Sequence, residues 1–405
     1  MMNFSSDLLE SLQKKTEADE SPFFFYDLDF LVEHIKKMEE QTSDSTTLWY
    51  ACKANPMSAI LKIFRNRGFG IDVASLGELD QVTRAGIKAK NVIATGPAKS
   101  KSYLKKMINA GVGTIVLESI NQMKDLDQVS QELGKKTDCL LRVQLEWEGG
   151  SSVLGGNEVT PFGIGENDWK NIDISQFKQL NILGLHAFQW GNLLDLNSIE
   201  TIWDSTCNKL VQFSKEINID LQVLDLGGGI GIPYQLNKSA PEFLKINPII
   251  EKLKKKYSLK NVWLELGRYA VGECGYYFAK VIDRKISRGK EILVLNGGIN
   301  HIARPALTDQ AFPVERFDKQ KAKNKKEISF KIHGPLCTAL DNLGEHSLPS
   351  DTNVGDWLVF HKVGAYGFTE AMPFFLCHDL PSESIYYNGD FMTPRVSKTS
   401  ADWMI

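Results

Sequence analysis

Lys53 closes the apolar run Leu48-Trp49-Tyr50-Ala51-Cys52 and is followed at once by Ala54-Asn55-Pro56, where proline blocks regular structure. An amine at the end of a buried strand is costly unless it is paired or used in chemistry. The plainer alternative is a side chain that snorkels to water. Three further groups close apolar runs in the same way: His186 and Phe188, the triplet Gly227-Gly228-Gly229, and Glu265 with Gly267-Arg268. Consecutive glycines let backbone N–H groups approach an anion without Cβ interference, although a tight turn asks for the same residues. A lysine facing a phosphate cradle suggests an aldehyde cofactor that bears a phosphate, pyridoxal 5′-phosphate, held as a Schiff base. Its ring nitrogen needs a partner, and Glu265 offers a carboxylate. The competing reading of Glu265 is an ion pair with Arg268 or Arg284.

Positioning these groups requires a scaffold that brings distant strand ends to one place. Eight short apolar runs fit buried parallel strands: Leu48–Cys52, Phe69–Val73, Val92–Thr95, Thr114–Leu117, Cys139–Leu145, Leu183–Phe188, Gln222–Leu226 and Val262–Leu266. Helix-like spacing separates them, as in Leu76–Ala85 and Ser102–Ala110, which Gly86 and Gly111 close as C-caps. This rhythm over residues 27–272 is that of an α/β protein built as a (β/α)8 barrel, with a doubly wound open sheet as the rival. In such a barrel the catalytic groups sit at the C-terminal ends of the strands, and the loops after strands seven and eight form the usual phosphate site. Every group singled out above falls there. Beyond residue 272 the texture becomes alternating and β-rich (Tyr276–Arg284, Glu291–Leu295, Ile328–Ile332, Trp357–Phe360), which points to a C-terminal antiparallel β-domain of residues 273–405 joined by 1–26.

Composition narrows the function classes. With 405 residues, 42% hydrophobic, 24% charged and a net charge of −3, the chain has ample core and no electrostatic footprint for nucleic acid or an anionic membrane. Six scattered cysteines form no C-x-x-C pair and the histidines no H-E-x-x-H, so no metal site is expected, and free thiols suit a reducing compartment. The polar N-terminus and the lack of any run of about 18 apolar residues point to a cytoplasmic protein. The Lys-rich runs Asp318–Glu327 and Glu251–Lys256 read as a solvated loop and an exposed helix face.

Several motifs in order resemble a known family. Tyr50–Pro56, Phe69–Ser75 with Gly77-Glu78, Asp225–Gly229, Glu265–Arg268, Gly334-Pro335-Leu336-Cys337 and Gly364-Ala365-Tyr366 are similar to the motifs of the alanine-racemase-like barrel decarboxylases acting on diaminopimelate, ornithine and arginine. The resemblance covers about residues 26–378 and implies roles. Lys53 would carry the cofactor, Glu265 would pair with the pyridine nitrogen, and Gly227, Gly228, Gly229, Gly267, Arg268 and Tyr366 would hold the phosphate. Either His186 or Phe188 would stack on the ring. Cys337 would return a proton to the α-carbon, entering from the partner subunit of a homodimer; without the resemblance it would be read as an ordinary buried thiol.

The chain also departs from those relatives. Phe188 stands where they have the stacking histidine, Thr338 replaces the acidic residue that reads a distal amine, and Thr308 replaces a tyrosine after Arg304-Pro305-Ala306-Leu307. A site without that acid disfavours a free side-chain ammonium, because desolvating it unpaired costs several kcal/mol. Asn296–His301, Pro335–Asp341 and Gly267–Gly275 resemble a further branch whose substrates are already conjugated, on a carrier protein or within a siderophore precursor. His301, Arg304 and Thr338 become candidate contacts to the distal part of the substrate. The expectation is therefore a pyridoxal-phosphate decarboxylase of an amino acid with a long or conjugated side chain. Diaminopimelate decarboxylation is the alternative, and an amino-acid racemase or a noncatalytic cofactor-binding protein are the rivals of another class.

Overall fold

The computed structural model describes residues 4–146, 151–152, 155–156, 159–318 and 326–403. The chain divides into two compact units: His34–Ile232 with Ala240–Ala270, and Met1–Glu33 with Pro233–Ser239 and Val271–Ile405.

In the first unit all eight expected strands are present: Thr46–Ala51, Gly70–Val73, Val92–Ala94, Thr114–Leu117, Thr137–Arg142, Leu180–His186, Val223–Asp225 and Val262–Leu266. They pair in parallel around a closed circuit, the last against the first, which excludes the open sheet. Strands covered on both faces read as unbroken apolar runs, and this made them visible in sequence. The interior is packed by Trp49, Ile93, Val116, Leu140 and Val223, with Leu183 and Trp263 against them. A Cβ on Gly70 would come within 2.2 Å of the Trp49 ring, so this motif glycine answers to core packing.

Caps start the barrel helices immediately after the strands. The side chains of Ser75, Ser100, Ser119 and Asp195 each accept the N–H three residues on, opening Leu76–Arg84, Lys101–Ala110, Ile120–Glu132 and Leu196–Glu216. Glu78 reaches back to the Ala74 N–H at 2.6 Å, so Ser75 and Glu78 act as a reciprocal cap that fixes the loop after the second strand. Gly111 ends its helix in the left-handed conformation, as its C-cap role requires. The helix Phe243–Tyr257 corrects one expectation. Lys254 is 8% exposed and its amine donates to Ser43 and Glu251, so Glu251–Lys256 is not a uniformly solvated face.

The second unit is a nine-stranded sheet. It is antiparallel except where Phe23–Asp27 meets Ser382–Tyr387 and Lys290–Leu295 meets Glu327–His333. Phe23–Asp27 also pairs with Gly275–Ser287, and its Phe23 and Phe25 join Phe278, Trp357 and Val359 in a core that Leu8 and Leu12 of the helix Ser6–Ala18 complete. Segments 27–33 and 233–239 fall here although the sequence reading set them within 27–272. Asp29 accepts the Asn388 N–H at 2.8 Å, and the buried Lys362 amine donates to the carbonyls of Pro233, Gln235 and Lys238 at 2.7, 3.2 and 3.0 Å. Most of the Lys-rich run Asp318–Glu327 lies outside the described residues. Among those described, no helix is long and apolar enough to cross a membrane.

Candidate active site

Lys53 sits in a single 3-10 turn, Cys52–Ala54, directly after the first barrel strand. Its side chain is 46% exposed, and its amine donates to Asp72 Oδ2 at 3.1 Å. Asp72 projects from the second strand, is almost fully buried, and accepts the Thr95 hydroxyl at 2.6 Å on its other oxygen. Burial pushes the Asp72 carboxyl up and the Lys53 charge pulls it back. Lys53 is thus aimed by a carboxylate that is itself held by a third strand, and does not simply snorkel.

Glu265, at the end of the eighth strand, is 8% exposed and receives the Nε2 of the fully buried His186 at 3.1 Å on Oε1. Of the two arginines of the competing reading, Arg284 is not its partner: it lies in the β-rich unit, bonded to Glu291 and to the carbonyls of Ser350 and Thr352. Burial alone would raise the Glu265 carboxyl, but His186, then Lys53 and Arg142, hold it below the usual carboxylate range. Asp225, at the end of the seventh strand and wholly buried, accepts the Gly227 N–H at 2.8 Å. Burial, followed by the charge of Glu265, pushes the Asp225 carboxyl well above the usual range.

The glycine turn serves two demands at once. A Cβ on Gly227 would come within 2.3 Å of the Phe188 ring, and one on Gly228 within 2.0 Å of the Glu265 carbonyl, so close packing alone requires glycine. The Gly227 N–H is taken by Asp225, yet those of Gly228 and Gly229 donate to no acceptor among the described residues. Unengaged N–H groups in buried backbone call for a partner, and two together suit an anion. Of the two aromatic candidates, Phe188 lies over this turn while His186 is committed to Glu265.

The remaining candidates belong to the β-rich unit. Tyr366 adopts a left-handed backbone (φ 56°), and its ring lies 5.4 Å from the Arg304 guanidinium, which bonds Glu370 at 3.0 Å. His301 is buried, with Nδ1 against the Tyr277 hydroxyl at 2.8 Å and Nε2 against the Asp379 carbonyl at 2.9 Å. Both ring nitrogens are therefore engaged within the fold. Cys337 is exposed and not the buried thiol its type suggests. Its loop is held from beneath by the buried Asp341, which accepts the N–H groups of Ile299 and Leu336 at 2.8 and 2.7 Å. Thr338 turns its hydroxyl to the Leu340 N–H.

Comparison with known proteins places this geometry. Residues 28–272 match the family described as pyridoxal-dependent decarboxylase, pyridoxal binding domain. The chain belongs to the pyridoxal-dependent decarboxylases. Among curated relatives, the L-glutamyl-[BtrI acyl-carrier protein] decarboxylase of Niallia circulans is 27% identical over 400 residues, covering 96% of this chain and 94% of that one. A diaminopimelate decarboxylase of Neisseria meningitidis serogroup A is 30% identical over 363 residues, covering 88% and 87%. In fold, the diaminopimelate decarboxylase of Helicobacter pylori in complex with L-lysine superposes with a TM-score of 0.86 at 23% identity, covering 96% and 98%.

The cofactor of this decarboxylase is pyridoxal 5′-phosphate. The residues present fit it: an oriented and accessible amine at Lys53, unengaged N–H groups at Gly228 and Gly229, and an ionised Glu265 whose second oxygen has no hydrogen bond among the described residues. The sequence reading passed over a further polar cluster of the decarboxylase barrel. Glu118 binds Arg142 at 3.1 Å and accepts the N–H groups of Gly96 and Gly163 at 2.9 and 2.8 Å. Nearby, the buried Lys99 amine donates to the Gly96 carbonyl, and burial lowers it to about 8. The available signal was a charged residue closing an otherwise apolar strand, as in Leu140-Leu141-Arg142.

Proposed function

We propose that this decarboxylase removes the α-carboxylate of an amino acid whose side chain is already acylated or thioesterified, on a carrier protein or within a siderophore precursor. The observation that carries the reading is the stretch Cys337-Thr338-Ala339-Leu340, exposed except for the half-buried Thr338, which holds no acid at the place where relatives read a distal amine. A free ammonium would there lose its hydration without a counter-charge. The full-length similarity to an enzyme named for a carrier-linked glutamyl substrate supports the same reading. Diaminopimelate decarboxylation is the second reading, favoured by the 30% identical relative and by Arg304-Pro305-Ala306-Leu307. Arg304 bonds Glu370 through Nη1, while its Nε has no partner among the described residues.

When bound, the pyridoxal ring supplies an electron sink for the electrons released from the bond to the carboxylate. Lys53 would hold the cofactor through its amine, which Asp72 orients. Gly227, Gly228 and Gly229 hold the phosphate, the last two through their free N–H groups, with Gly267, Arg268 and Tyr366 assigned to the same task by family resemblance. Phe188 offers a ring face beside the glycine turn. Glu265 keeps the ring nitrogen protonated, the choice that favours loss of carbon dioxide over racemisation. Cys337 of the partner subunit returns the proton to the α-carbon, so the site is completed by a homodimer.

A carbon dioxide release screen of the holoenzyme against diaminopimelate, ornithine, arginine, side-chain-acylated amino acids and glutamyl-loaded carrier protein tests the substrate class. Turnover of the conjugated substrates is expected, and activity confined to free diaminopimelate overturns the reading.

A further inference from the structure

Behind the Glu265 carboxylate three polar groups converge with almost no access to water. One ligand atom each of His186, Asp225 and Glu265 lies within 4.8 Å of the other two, and none of the residues is more than 8% exposed. Two carboxylates this close in a low-dielectric interior share one negative charge and one proton. The hydrogen bonds show where each resides. Glu265 Oε1 receives the His186 Nε2 at 3.1 Å, whereas Asp225 receives only the Gly227 N–H on Oδ1, and its buried Oδ2 has no partner among the described residues. An unpartnered carboxylate oxygen in this setting is the place for a proton. His186 Nδ1 is buried and unpartnered as well. A neutral imidazole that donates through Nε2 leaves a bare lone pair there, while an imidazolium would strand a second N–H.

We propose that His186 and Asp225 are positioning residues that confine the single negative charge of this cluster to Glu265, His186 by donating its Nε2–H and Asp225 by remaining protonated. The charge is thereby fixed at the ring nitrogen of the cofactor. This rests on the reading of Glu265 as the ring-nitrogen partner and adds what makes that carboxylate dependable. The other charges facing the cluster are Lys53, Asp72 and Arg142, contributed by the first, second and fifth barrel strands or the turns that follow them. Asp225 is driven upward by burial and by the charge of Glu265, in keeping with its retained proton.

The decisive readout is the ring nitrogen itself, followed as the 15N chemical shift of [15N]pyridoxal phosphate bound to the holoenzyme from neutral to mildly alkaline pH. Wild type is expected to keep the protonated signal throughout. In His186→Leu the signal moves toward the unprotonated position and titrates within the range, and kcat falls on the order of tenfold to a hundredfold, as for other orienting partners, with KM little changed. His186→Gln keeps an N–H donor and restores the signal. Asp225→Asn, which removes a proton-bearing oxygen but no charge, leaves the signal in place. A protonated signal unmoved in His186→Leu, or one displaced in Asp225→Asn, overturns the proposal; should the leucine variant not fold, the asparagine arm decides alone. Glu265→Gln separates the two levels. A signal that moves there but not in His186→Leu removes only the present inference, whereas one that stays put in Glu265→Gln removes the underlying reading too.

Discussion

At the barrel rim, Lys53 is gripped by Asp72, Asp72 by Thr95, and Glu265 by a histidine with no exposure at all. Cys337 stands in the open on a loop whose main internal anchor is the single buried carboxylate of Asp341. The first arrangement spends several buried polar groups on orienting each side chain; the second holds mainly the backbone, with the Thr338 hydroxyl accepting the Leu340 N–H and Cys337 left exposed. Under the proposed roles, the side chains assigned to the cofactor are over-determined and the loop assigned to substrate is lightly held, so the second can diverge without disturbing the first.

The contrast can be broken most severely at Lys53. Lys53→Ala is expected to abolish borohydride-trappable cofactor and to lower turnover by orders of magnitude; retention of a trapped adduct, read by mass spectrometry, would place the reactive amine elsewhere. Asp341→Ala should cost about 2–4 kcal/mol of unfolding free energy, because two buried N–H groups lose their acceptor. It should depress turnover along with stability, and denaturant unfolding measures the first of these. His301 gives an effect of similar size through pH. Burial lowers it from 6.5 to about 4, so the unfolded chain binds its proton first. Its contribution is complete above pH 6.5 and is lost as pH falls toward 4, by up to about 3 kcal/mol. Replacing His301 with Asn should flatten that part of the stability profile, and an unchanged profile would refute the assignment. The smallest effect sharpens the comparison: Cys337→Ala should shift stability by no more than about 0.5 kcal/mol while impairing turnover, since an exposed side chain carries little of the fold. A marked drop in thermal midpoint would show the loop to be structurally committed after all.

The eight strands were legible because parallel strands inside a barrel are apolar without interruption, and each was placed to within about three residues. Lys53 and Glu265 were legible because a charge that ends such a run must be accounted for. Their partners were not. Asp72, Thr95 and His186 join their sites only when neighbouring strands close side by side, and no local pattern encodes which strand lies next to which. The Glu118–Arg142 pair was hidden for the same reason. That both His301 ring nitrogens are engaged within the fold was not legible either, because such partners are a tertiary property. Its ring is enclosed by Tyr277 and the Asp379 carbonyl, residues 24 and 78 positions away in the chain. The glycine triplet shows a different limit: packing against Phe188 and the Glu265 carbonyl demands the same residue that an anion site does, and sequence alone cannot apportion the two.

The strand Phe23-Phe24-Phe25-Tyr26-Asp27 carries a consequence for how the enzyme is made. It is synthesised long before its partners, for its antiparallel neighbour begins at Gly275 and its parallel one at Ser382. Until Gly275 and the residues after it are made, the nascent chain therefore holds a run of aromatic residues with both edges unpaired, the kind of segment that chaperones shield and that aggregates when they do not. The strand is synthesised well before the two neighbours that enclose it, so a chain cut short before Ser382 leaves one of its edges unpaired.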